Sequence, residues 1–420
     1  MISLPSGVTS GILPLVLAPT VFIFLATIVA AVMAYGTDPR WGAIDSGLSV
    51  ITFSRKLQWP LATFAVVLCL AVVAMVVAGK RRAWWLIGLA PVVALFAHTF
   101  KLGPTAGLTV VENPTFVDAA DTMNIAADDY VVGVVFNEKA LAFPYATLFN
   151  APVVVHTDRD QKLLLLWNAY ANVATAFSVD RSVRSGELDL VSSPANALLV
   201  YNTRNGQFIN GITGKTPLGE TPTGVRNSVS TVTTTWRQWL AAHRDTKVVL
   251  TTGQPTGPTS PLVRAYPLPR RLENEPDEIV TMVHAEVPVA IAEESMPTVP
   301  ANFNAGDTRV LLLPRAVTGN QPRAFDRAVK DDLFPAFNVT TPDEKTGPLL
   351  IDADSGSLWN FTGRATTGPL KGEQLRPLGV STGVDFRVMK YWYPQLTLVT
   401  PEAPPAIKPP QVEPATRRQR

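Results

Sequence analysis

Along the first hundred residues the apolar positions fall into three blocks uninterrupted by charge, 12–35, 59–78 and 83–100. A helix crossing a hydrocarbon layer of about 30 Å needs about 20 apolar residues, with about 17 as the lower limit. The first two blocks fit that length and the third is just long enough. Backbone polar groups find no water in lipid, so each block is expected to be a helix. Beyond residue 128 the pattern changes to short runs, YVVGVVF, ALAFP, APVVVHT, KLLLLW, VATAFSV and NALLVYN, each bounded by turn-forming residues. Such runs predict strands.

Two stretches then break the strand pattern in the same way. Apolar residues recur at helical spacing at Trp236, Trp239, Leu240 and His243, and again at Phe386, Met389 and Tyr393, which predicts a helix with one face on a sheet. The glycine-punctuated phrases GQFINGITGKTPLG and GSLWNFTGRATTGPLKG lie about 150 residues apart. Leu199-Val200-Tyr201-Asn202 with Gly206 superposes on Leu349-Leu350-Ile351-Asp352 with Gly356. Asn205-Gly206 suits a tight hairpin turn, because both central positions of that turn need positive φ. The expectation is a tandem duplication.

The resulting fold class is an N-terminal three-helix transmembrane block followed by two tandem β-rich α+β repeats. The boundaries are 1–100 for the membrane block, 101–127 for a linker and 128–250 for the first repeat. A proline-rich connector follows at 251–276, then the second repeat at 277–400 and a disordered proline-rich tail at 401–420. The stretch 287–300 reads as irregular.

Charge adds an orientation. Lys80-Arg81-Arg82 lies between the second and third blocks, and basic loops stay in the cytoplasm. The N-terminus is then cytoplasmic, and the chain after about residue 100 is extracytoplasmic, at the inner membrane. Arg55 and Lys56 pull the other way with one charge fewer. Residues 1–11 carry no Lys or Arg, so a cleaved signal peptide lacks its usual basic start. The chain as a whole holds 36 basic and 34 acidic residues, and the exported part is nearly neutral, which excludes a nucleic-acid surface. Its expected partners are the lipid bilayer and another envelope or membrane protein. The single cysteine, Cys69, lies inside the second block. The exported part therefore has no disulfide, thiolate nucleophile or zinc–thiolate site.

Several short phrases carry a resemblance. They are Val131-Val132-Gly133-Val134 with Ala142-Phe143-Pro144; Ala174-Thr175-Ala176-Phe177; Asp352 through Trp359; Gly368-Pro369-Leu370-Lys371-Gly372; and Trp236, Trp239, His243 and Asp245-Thr246-Lys247-Val248. On these, residues 128–400 resemble a bacterial and archaeal domain-of-unknown-function family, "thirty-one seventy-nine". The resemblance implies a Cys-Pro-Leu-Cys motif just before Ala174. Here Asn168 and Ala171 stand in the places of its two cysteines, so thiol redox chemistry or thiolate metal binding at that point is excluded.

The remaining candidates are few. His156, Asp158 and Asp160 could make a weak divalent metal site, although the same spacing suits an edge strand running into a polar turn. Trp359, Phe361, Trp392 and Tyr393 could form an aromatic platform for a ligand, or serve as core. His284 is isolated, and His98 ends the third block. Carboxylate pairs Asp331-Asp332, Glu293-Glu294 and Asp343-Glu344 read as solvated surface. No nucleophile elbow and no phosphate-cradling loop is present. The phrase DSGSLW also suits a quinoprotein propeller blade, but blades recur about every 40 residues. No cofactor is expected. The function expected is a non-enzymatic binding or scaffold module; the alternative is a periplasmic redox or hydrolytic enzyme with an unidentified site.

Overall fold

The computed structural model describes residues 9–79, 82–122, 125–250, 257–262, 264–319, 321–329, 333–339 and 350–401. Lys80 and Arg81, Asp331-Asp332, Asp343-Glu344, part of the connector (251–256 and Val263) and tail residues 402–420 lie outside them.

Three helical segments, Leu17–Tyr35, Gln58–Val77 and Ala83–Lys101, are long and apolar enough to cross a membrane. The third begins as a 3-10 turn, Ala83–Leu89, and continues as the α-helix Ala90–Lys101. Ala26 and Ala30 of the first meet Leu68 of the second and Val92 of the third in one buried cluster. Small residues let helix backbones approach closely where no water drives association. Phe24, Val67, Leu70 and Val93 point outward, leaving an apolar exterior.

Between the first two spans lies a helix absent from the sequence reading, Gly47–Lys56. It rests on the β-rich part, where Ile51 is fully buried among Val191, Leu199 and Phe208. Arg55 forms an ion pair with Asp189 and lies 5.0 Å above the Tyr201 ring. Ser192 Oγ donates to the Thr37 carbonyl at 2.6 Å. The segment between the first two spans and the β-rich part therefore sit at the same end of the helices.

The first half of the β-rich part is built on the hairpin Tyr130–Phe136 and Lys139–Pro144. Thr231–Thr235 pairs antiparallel with one side of it and Lys247–Val249 parallel with the other. A second sheet is the meander Val153–Asp158, Gln161–Asn168 and Val173–Val179, with Val225–Val229 beside it. In the second half the hairpin is Ile279–His284 and Val289–Ala292. Arg376–Asp385 pairs antiparallel with it on one side and Thr397–Leu398 parallel on the other. The meander there is Ala301–Ala305, Thr308–Leu313 and Arg323–Asp326, and its last strand also pairs with Arg376–Asp385.

The leucine run explains how each meander is held. Leu163, Leu165 and Trp167 face one core and Leu164 and Leu166 another, because successive side chains of a strand point to opposite faces. Val310 and Leu312, against Leu311 and Leu313, repeat that arrangement. A strand covered on both faces reads as continuously apolar rather than alternating.

Both expected helices form, as Trp236–Ala242 and Phe386–Trp392, with His243 and Tyr393 at their C-caps. Trp236 and Trp239 pack on Val131, Ala140 and Ala142. Phe386, Val388 and Met389 pack on Val280 and Met282, and the same cluster takes in Ala171, Val173, Ala197 and Ile212 from the first half. That shared core joins the halves.

Two short stretches differ from the sequence reading. Within 101–127, Val110–Glu112 pairs parallel with Val153–Asp158, and Phe116–Asp118 pairs with Lys247–Val249. Within 287–300, Val289–Ala292 is a largely buried strand. Strands of three or four residues are too short to display a period, and their partners supply the regularity.

Candidate functional site

Two clefts open where the halves meet. The first, of about 260 Å³, lies between Gly133, Trp239 and His243 of the first half and Arg323, Phe325 and Leu378 of the second. Gly133 is required by the indole: a Cβ there would come within 2.2 Å of the Trp239 ring. Trp239 Nε1 donates to Thr246 Oγ1 at 2.8 Å, and that hydroxyl donates to the Ala140 carbonyl at 3.1 Å. The ring is thereby fixed as one wall. His243 packs against it with centroids 4.1 Å apart.

Arg323 Nη1 donates to the Phe361 carbonyl at 3.0 Å. Among the described residues no carboxylate pairs with it, and burial holds its pKa below the usual guanidinium value. His243 is also pushed down, first by burial and then by the charge of Arg323. Burial disfavours a cationic ring, and a neighbouring cation disfavours it further.

The second cleft, of about 430 Å³, lies between His284 and Tyr393 of the second half and Thr175, Phe177, Thr213 and Thr231 of the first. Tyr393 donates its hydroxyl to the Ile212 carbonyl at 3.2 Å, and burial raises its pKa. The His284 Nε2 lies 2.9 Å from Ser381 Oγ. Burial pushes the imidazole down to about 4. Thr231, Pro377, Leu378 and Val380 line both clefts, so the two lie back to back on the strands Thr231–Thr235 and Arg376–Asp385.

A third cavity, of about 610 Å³, sits where the helices meet the first half. Its charged groups, Arg55 and Asp189, satisfy each other.

The four aromatic candidates are not brought together. Trp359 is fully buried in a core with Leu311 and Phe337, and its Nε1 donates to Asp352 Oδ2 at 2.9 Å. Phe361 packs at the edge of that core and reaches the first cleft only through its carbonyl's bond to Arg323. Trp392 is partly buried in the core between the halves, with its Nε1 donating to the Ala195 carbonyl at 3.2 Å. Tyr393 alone lines a cleft.

His156, Asp158 and Asp160 do not converge either. His156 and Asp158 share a face of Val153–Asp158, but Asp160 lies in the following turn, where Arg159 takes φ +54°. The Asp158 carboxylate accepts from Lys139 Nζ at 2.6 Å and from Asn137 Nδ2 at 3.2 Å; Lys139, followed by Asn137, holds it below the usual carboxylate range against the opposing effect of burial. Asp160 pairs with Arg181. His156 packs edge-on to Phe116, and burial lowers its pKa. Among the described residues no group of three His, Cys, Asp or Glu side chains could hold a metal.

At the place of the motif cysteines, Asn168 ties three segments together. Its Nδ2 donates to the Val173 and Gly211 carbonyls at 3.0 and 2.7 Å, and its Oδ1 accepts from the Leu198 N–H at 2.7 Å. Ala171 is buried in the core between the halves. Both positions carry packing in this chain.

Arg323 was not singled out in the sequence. The available signal was its place in PRAF, where the first half has ATAF: a long cation stands at the position of Thr175.

These features define a β-rich protein bearing three apolar N-terminal helices, with two clefts between its halves. Residues 106–395 match the family described as "Protein of unknown function (DUF3179)", and the chain belongs to it. No curated protein and no solved structure matches the chain.

Proposed function

We propose that this chain is a membrane-anchored, non-enzymatic binding module in which two duplicated repeats, 128–250 and 277–400, hold small ligands between them on the extracytoplasmic side. Duplication is supported by local geometry. Gly206 and Gly356 take φ of 71° and 70° and donate to the carbonyls of Asn202 and Asp352 at 2.9 and 3.0 Å. The side chains of Asn210 and Asn360 each cap the turn that follows. Gly214 and Gly363, both at positive φ, lie against Phe177 and Phe325.

The observation that carries the binding reading is the reciprocity of the clefts. One takes a helix end, His243, from the first half and a meander strand, Arg323–Asp326, from the second. The other takes a helix end, Tyr393, from the second half and a meander strand, Val173–Val179, from the first. Neither half closes a cleft alone, and concave sites between units are where small ligands usually bind.

The His284–Ser381 contact is the one observation favouring an enzyme. Ser381 is only 5% exposed, however, and no carboxylate among the described residues orients the imidazole. A serine nucleophile needs access and an oriented base.

Three spans would put the Gly47–Lys56 helix and the β-rich part on one side and Arg82 on the other, which agrees with their packing. The test uses a Cys69→Ala background carrying either Asn205→Cys or Ala78→Cys, with a membrane-impermeant maleimide. In right-side-out vesicles Asn205→Cys should label and Ala78→Cys should not, with the pattern reversed in inside-out vesicles. Labelling of both from one side would sink the anchored, exported reading.

A further inference from the structure

We infer that the first cleft is selective for a compact monocarboxylate with an apolar or aromatic body, held by Arg323 against the Trp239 wall. This deepens the binding reading above and rests on it.

Arg323 carries a charge that no carboxylate among the described residues neutralises. Arg323 lines the cleft and spends one N–H on the Phe361 carbonyl. Among the described residues its Nε and Nη2 make no hydrogen bond and no acidic side chain lines the cleft. The guanidinium is half-buried, and its free N–H groups are not sealed from solvent, so an anion entering the cleft gains an ion pair that is only partly screened by water. The fork geometry of the group suits a carboxylate held by two parallel bonds.

The rest of the lining sets the body of the ligand. Trp239, Phe325, Leu378 and Val380 are apolar, and the Gly133 backbone gives the indole room to lie flat. The cleft, of about 260 Å³, has room for a small ring with an acid arm. An apolar surround also strengthens the ion pair by lowering the local dielectric.

The second cleft supplies an internal comparison. At the places of Arg323 and His243 it has Thr175 and Tyr393, neither of them cationic at neutral pH, and the guanidinium that does line it, Arg376, is neutralised by Asp326 at 2.7 Å. Duplication has thus left two clefts of related shape and different charge, and the acid preference belongs to one of them.

The probes are phenylacetate, its neutral isostere phenylacetamide, and inorganic phosphate, titrated calorimetrically into the full chain in detergent. Phenylacetate should bind with one site per chain and at least tenfold more tightly than either of the others. Arg323→Gln should erase that preference, and Arg323→Lys should retain part of it. Thr362→Trp, which fills the first cleft and keeps the charge of Arg323, should abolish binding, whereas Thr213→Trp in the second cleft should leave it unchanged. Equal affinity for phenylacetate and phenylacetamide, phosphate binding as tight as phenylacetate, or no phenylacetate binding would each overturn the inference. Phenylacetamide binding that Thr362→Trp removes would, in the first of these cases, leave the broader binding reading standing.

Discussion

Trp359→Ala is expected to destabilise the chain by about 4–5 kcal/mol, moving the urea midpoint of the second half down by more than about 1 M. The side chain is fully buried against Phe337 and Leu311, and truncating such a residue leaves a cavity as well as removing apolar contact. It also leaves the buried Asp352 carboxylate one donor short, with Ser355 Oγ at 2.7 Å as a remaining partner. Trp359→Phe should cost less, since the ring is largely replaced and only the indole bond is lost. An aromatic platform would behave oppositely: an exposed ring could be truncated with little change in stability. A Trp359→Ala loss below about 1 kcal/mol would show that this residue is not the core element described here.

Acid should destabilise the protein through His284. The folded-state imidazole titrates at about 4, against about 6.5 in an unfolded chain. Between those values the unfolded state binds the extra proton, so stability falls as pH drops through that window and is fully lost to this group below about 4. The shift corresponds to roughly 3 kcal/mol at most, and to about 2 kcal/mol once water entering the open cleft that His284 lines is allowed for. His156 and His243 are also pushed down and act with the same sign. The diagnostic is therefore a difference: His284→Gln, which can still bond Ser381, should lose about 2 kcal/mol less than the parent between pH 7 and pH 4. Parallel curves for the two would remove His284 from the account.

The parts of this fold legible in the sequence are those whose regularity is local. VATAFSV is the strand Val173–Val179 residue for residue, and the stripes through Trp239 and Met389 are helices. The helix Gly47–Lys56 was invisible because its apolar face is satisfied by Leu199 and Phe208, about 150 residues away. The strand Phe116–Asp118 likewise exists only as an edge beside Lys247–Val249. Aromatic residues posed a different problem. Trp359 and Trp239 look alike as letters and both are buried in cores, yet only Trp239 also lines a cleft. What separates them is whether the second half leaves an opening in front of the ring. For the acidic trio around His156, period-2 spacing implied a common face until the backbone reversed at Arg159. The clefts themselves arise from packing between halves, which no window of sequence contains.

Native mass spectrometry of the full chain is the most direct test of ligand binding between the halves. The protein would be extracted in mild detergent, incubated with a small-metabolite extract of the cells that make it, and compared with the double variant Thr362→Trp, Thr213→Trp. A small-molecule mass increment is expected on the parent chain and not on the variant, while both keep the same thermal transition. An identical increment on both, or none on either, would contradict ligand binding between the halves.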